Sequence, residues 1–155
     1  MRTEGSVVID RNIDDVFRLT NDHVADWSQV VVEDEVIDEQ PGRVGTTFRS
    51  VTEEHGRQMQ FQGTITQYDP PVASAVHLIG EMFDLDVQYQ FVDLGEQRTK
   101  VTQRSYVAGK GMLKLVFLLC GWAMRGSSRK ALNVELQGLK RFCEISANGT
   151  SPDRP

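Results

Sequence analysis

The sequence predicts an α+β fold, a curved antiparallel sheet of about seven strands wrapped around a long C-terminal helix, with two short helices after the first strand. Three observations predict it. Apolar and polar residues alternate with a period of two in successive runs from Val44 to Val107, each run closed by turn residues. After Gly109 the period becomes helical and stays so. The remaining helical patterns are short and lie just behind the first strand-like run.

Ser6 to Asp10 alternates and begins the first strand. In "DRNIDDVFRLTND", Ile13, Val16 and Phe17 recur at helical spacing, Asn12 stands where an N-cap belongs, and Asp14 and Asp15 face the positive end of the helix. "HVADWSQVV" predicts a second short helix carrying Val24 and Trp27. Val30 to Asp38 then turns strand-like and stops at Pro41-Gly42. Val44 to Glu53 and Arg57 to Tyr68 read as a hairpin turning at "EEHGRQ", where Gly56 permits a tight turn. "YDPPV" forces the next turn, because consecutive prolines cannot continue a ladder. Val72 to Ile79, Phe83 to Leu94 and Arg98 to Val107 complete the meander. In the final helix Leu132, Leu136, Leu139 and Cys143 form one apolar stripe, while Lys130, Lys140 and Arg141 are left to solvent.

With 155 residues, the chain is read as one domain over residues 1–146 followed by a disordered tail, "ANGTSPDRP", over 147–155. Its net charge of -5 repels a phosphate backbone, which argues against nucleic acid as a partner. "MRTEGSVVID" enters a strand pattern with no apolar leader, so a cytoplasmic location is expected. The histidines, His23, His55 and His77, fall at a helix start, a hairpin turn and an outward strand position. None has a second ligand at metal spacing, and no phosphate loop, dinucleotide fingerprint or nucleophile elbow occurs, so neither metal nor cofactor is expected.

The order of these pieces is familiar as a set. "NIDDVFRLTND" followed by Trp27, "PGRVGTTF", the hairpin "HGRQ", "TITQYDPP", "YQFVDLGEQRTKVT" and the closing "LQGLKRFCE" together resemble the polyketide cyclase/dehydrase-like branch of the START-related SRPBCC superfamily. The resemblance spans roughly residues 4 to 145. It implies a helix-grip fold whose sheet and C-terminal helix enclose a cavity for lipids, sterols, polyketides or other apolar molecules. Some members are enzymes and many bind or carry ligands. The superfamily shares no catalytic motif, so the resemblance assigns no catalytic residue.

Alternation indicates which side chains face the long helix. In the run from Phe83 to Leu94 the apolar set is Phe83, Leu85, Val87, Tyr89 and Phe91, and a hairpin at Gly95 to Gln97 sets Phe91 opposite Val101, Tyr89 opposite Gln103 and Val87 opposite Ser105. The same parity turns Phe48, Ser50, Phe61, Gly63, Ile65, Val72, Ser74, Val76 and Leu78 inward. Two packings suit such a lining, a solid core or a small-molecule pocket with a few orienting polar groups. The resemblance favours the pocket, and the expected ligand-binding residues are Phe48, Phe61, Ile65, Val76, Leu85, Val87, Tyr89, Phe91, Gln103 and Ser105 on the strands. Phe117, Cys120, Trp122 and Met124 join them from the helix.

The apolar stretch "GMLKLVFLLCGWAMRG", Gly111 to Gly126, has 11 apolar residues in the 13 from Met112 to Met124 but includes Lys114. It falls short of the ~20 residues a membrane span requires. It is expected to form a wall and gate of the cavity, and it is the candidate surface for a homodimer. The helix either runs through "RGSS" or breaks there. The leading functional expectation is binding or transport of a hydrophobic small molecule. The alternative is a polyketide cyclase or dehydratase with acid/base help from Tyr89 and Gln103, or from Glu135 if the helix turns it inward.

Overall fold

A computed structural model describes residues 1–146, excepting the side chains of 116–127. The predicted tail and the side chains of Phe117, Cys120, Trp122 and Met124 therefore lie outside the described residues. The chain forms β1 (Arg2–Ile9), α1 (Ile13–Asp22), α2 (Val24–Trp27) and β2 (Val31–Asp38), then β3 (Thr47–Glu54), β4 (Arg57–Asp69) and β5 (Ala73–Gly80), and finally β6 (Phe83–Gly95), β7 (Arg98–Gly109) and α3 (Met112–Ser146). All strands join one antiparallel sheet in the order β1-β7-β6-β5-β4-β3-β2. The fold is the predicted α+β helix-grip arrangement.

Local chemistry accounts for the joints. Asn12 caps α1 by accepting a hydrogen bond from the Asp15 N–H at 2.9 Å. The β3/β4 hairpin turns on His55 and Gly56, with φ of 53° and 74°, the paired left-handed geometry that keeps the twist of the flanking strands. β1 starts at Arg2, before the alternation is visible, because its first residues pair with β7 from Arg2↔Tyr106 onward. Val72, expected on the inner face, precedes β5 and is 51% exposed. Its N–H closes a turn onto Asp69 around the two prolines, so the parity of the strand does not reach it.

α3 is one helix of 35 residues with no break at Gly126. It lies mainly against β1. There Leu132, Leu136, Leu139 and Cys143 pack with Val7, Ile9, Val16, Phe17, Phe91 and Val101 in a dry core. Gly5 of β1 permits the approach, since a Cβ at that position would come within 3.1 Å of Leu132 and 3.2 Å of Leu136. Burial among these side chains pushes the Cys143 thiol up to about 12, so it serves as an apolar core residue. The core lies under β1, β7 and the Phe91 end of β6. The principal strand contacts of α3 are with β1 and β7, and bulges at Val31/Glu33, Val36/Asp38 and Ile65/Gln67 interrupt the ladders on the other side of the sheet.

Candidate ligand cavity

The space left between the concave sheet, α1, α2 and α3 is a cavity of about 450 Å³. It falls within the ~300–1,000 Å³ range of small-molecule sites. Its strand wall consists of Phe48, Phe61, Ile65, Ala75, Val76, Leu78, Leu85 and Val87, and Val24, Trp27 and Val30 close the helical side. Glycine makes room for this wall at one decisive point. A Cβ on Gly63 would stand 2.3 to 2.6 Å from the Phe48 ring, so only glycine lets that ring lie flat across β4.

Polar side chains interrupt the lining at fixed places. Antiparallel register puts Ser74 opposite Tyr89 and Tyr89 opposite Gln103, one row across β5, β6 and β7. Ser74 is 4% exposed and Gln103 is 8% exposed, and both line the cavity. Neither Ser74 Oγ nor Gln103 Oε1 has a hydrogen-bond partner. The amide of Gln103 donates from Nε2 to Ser105 Oγ at 3.3 Å, which leaves its carbonyl oxygen buried without a partner. Tyr89 stacks edge-on to Trp27, with centroids 6.5 Å apart. Burial, and then the charge of Glu135, push its phenol well above the usual tyrosine range.

Glu135 enters from α3. Ser28 Oγ donates to one of its carboxylate oxygens and the Gln29 N–H to the other, each at 2.6 Å. Ser28 is itself held by accepting from the N–H groups of Val30 and Val31. A cradle that donates to both oxygens fits the ionised form, while burial pulls the other way and pushes the Glu135 carboxyl above its ordinary value. Gly138, one turn further along α3, lets the α2–β2 connection come this close, because a Cβ there would stand 2.9 Å from the Trp27 carbonyl.

The exposed members of the lining are Asp22, Asp34, Val36 and Gln67, and the first three place the opening between the end of α1 and the edge strand β2. Asp34 lines the opening from β2 opposite Ser50; its surface is partly wet, yet the protein around its carboxyl displaces enough water to push it up to about 6. At the same rim Arg43, on the connection between β2 and β3, donates to Asp22 Oδ1 at 3.1 Å and lies 4.9 Å above the Tyr68 ring.

The structure brings nine of the expected strand residues to this cavity: Phe48, Phe61, Ile65, Val76, Leu85, Val87, Tyr89, Gln103 and Ser105. The three predicted pairs, Phe91↔Val101, Tyr89↔Gln103 and Val87↔Ser105, are the observed register. Phe91 is the correction among the described residues. It faces inward, but toward the filled end of the sheet, where its ring meets Phe17 at 5.1 Å. Asp34 and Arg43 were not anticipated. Asp34 shares its strand parity with Val36, which is the signal that could have found it, whereas Arg43 sits on a loop with no periodicity. Among the described residues no group of His, Cys, Asp and Glu could hold a metal ion, and no helix is long and apolar enough to cross a membrane.

Residues 1–140 match the family described as "Polyketide cyclase / dehydrase and lipid transport". No functionally curated protein matches the chain. Among solved structures, TTHA0849 from Thermus thermophilus superposes with a TM-score of 0.77 at 17% identity, covering 95% of this chain and 99% of that one. The Zhui aromatase/cyclase from Streptomyces sp. R1128 gives 0.74 at 13% identity, with 95% of each chain covered. A START superfamily protein from Mycobacterium smegmatis gives 0.72 at 16% identity, covering 93% and 97%. At such identities the likeness speaks for the fold, which is a hydrophobic ligand-binding one. The chain belongs to the polyketide cyclase/dehydrase and lipid transport family.

Proposed function

We propose that the protein binds or carries a hydrophobic small molecule, lipid, sterol or polyketide-like, inside the cavity. The observation that carries this reading is an apolar cavity of about 450 Å³ in which buried polar atoms, Ser74 Oγ and Gln103 Oε1, stand without partners. Leaving such atoms unpaired costs about 1–3 kcal/mol each, a cost that a ligand's polar groups would relieve. Native mass spectrometry of the protein after exposure to a total lipid extract tests the proposal. Retention of an apolar compound by the parent, lost in Val76→Phe, is the expected result. Repeated recovery of empty protein from a folded sample would refute it.

A second reading, a polyketide cyclase or dehydratase, has its own support in Tyr89 and Glu135, two titratable groups close enough to interact within one apolar cavity. The binding reading is preferred because Glu135 is tied down by Ser28 and Gln29, and because a phenol pushed upward is a poor base near neutral pH. Turnover of a reactive polyketone that disappears in both Tyr89→Phe and Glu135→Gln would reverse that preference.

A further inference from the structure

We infer that the cavity selects ligands whose polar end donates hydrogen bonds and carries no negative charge, a hydroxyl or an amine, and rejects carboxylates with the same apolar body. The inference rests on the binding reading above and adds the head-group chemistry.

Beside hydroxyls that donate or accept, Gln103, Glu135 and Asp34 put acceptor oxygens in the lining. Gln103 donates from Nε2 to Ser105 Oγ, and its carbonyl oxygen has no partner in a side chain only 8% exposed. Glu135 presents a carboxylate whose two oxygens each accept one bond, leaving lone pairs for a further donor. Asp34 adds a second carboxylate on the facing edge strand, near the opening.

The one basic side chain among the described lining residues is Arg43, and its guanidinium is already committed to Asp22 and the face of Tyr68. A ligand carboxylate at Arg43 would have to share the single guanidinium charge with Asp22, which leaves two anions against one cation at the rim. Away from Arg43 it would meet Glu135 beside apolar lining, where like charges are poorly screened, and Asp34 at the more open mouth. An alcohol or ammonium head meets acceptors at every one of these places. Ser74 and Tyr89 can donate as well as accept, so they tolerate either head group and do not supply the selection.

Isothermal titration of the whole chain with decanol, decylamine and decanoate, at mildly alkaline pH and below the concentrations at which these form micelles, tests the inference. Decanol and decylamine should bind about tenfold or more tightly than decanoate. The penalty on decanoate should shrink in Glu135→Gln and in Asp34→Asn, the latter an edge-strand change that leaves the core untouched. Decanoate binding as tightly as decanol would overturn the selection while leaving the binding reading intact. A penalty unchanged in both folded variants would overturn its assignment to these carboxylates. Failure of all three probes to bind would overturn the binding reading and the inference with it.

Discussion

Gly63→Ala asks whether the space over β4 is empty or merely loosely packed. Gly63 is buried on the inner face and its backbone is not left-handed, so alanine fits the chain conformation. Its methyl would overlap the Phe48 ring at 2.3 to 2.6 Å. Carbon atoms pack at ~3.5–4.0 Å, so the ring must retreat by roughly 1 Å or more. In a solid interior such overpacking costs about 1–3 kcal/mol or more. Phe48 borders the cavity, however, and can swing into it. The cost is then chiefly an off-rotamer ring, about 0.5–1.5 kcal/mol, offset by about 0.4–1 kcal/mol from the reduced freedom of the unfolded chain. The expected net loss is therefore under about 1 kcal/mol in urea denaturation, accompanied by a clear loss of decanol affinity because the ring now occupies ligand space. A stability loss above about 3 kcal/mol would refute the reasoning, since the ring would then have had nowhere to go. Unchanged decanol affinity with the ring displaced would refute it equally.

Three further outcomes follow from the same geometry. Burial pushes the Asp34 carboxyl from 3.8 to about 6, so the native state holds this proton at pH values where the unfolded chain has released it, and stability falls as pH rises between those two values. Asp34→Asn should remove that slope and stabilise the neutral-pH protein by no more than about 1 kcal/mol, a figure discounted because the side chain is partly open to water; the difference in urea midpoint between parent and variant, measured across the window, checks it. Leu136→Ala empties a site only 1% exposed in the middle of the dry core, and should cost about 3–4 kcal/mol by the same denaturation with an unchanged slope. Asn12→Ala deletes the cap that accepts from Asp15, and should lower stability by about 1 kcal/mol with no effect on ligand affinity.

Much of the architecture was legible because it depends on neighbours along the chain. Strand parity and the Gly95–Gln97 hairpin were enough to set Tyr89 opposite Gln103 and Val87 opposite Ser105. Capping chemistry placed α1 behind Asn12, and the leucine stripe of α3 identified the face that packs. Where the local signal ended, the boundaries moved: β1 gained residues whose only reason to extend is β7, and Val72 fell out of β5 into the proline turn.

The sequence by itself determined which side chains face inward, because a period of two and a period of 3.6 are properties of the backbone. Only the tertiary structure decided which part of that inner face is filled. Phe91 and Phe61 lie on the same concave surface with nearly equal burial, yet one completes the core and the other bounds the cavity. The difference lies in where α3 comes to rest, against β1 and β7 through Gly5. The placement of Glu135 follows from the same contact. A carboxylate on a helix enters a cavity or faces solvent according to rotation and approach distance, which here depend on Gly138 meeting the α2–β2 connection and on Ser28 and Gln29 meeting the carboxylate. These are distances between residues about a hundred positions apart, and no local pattern encodes them.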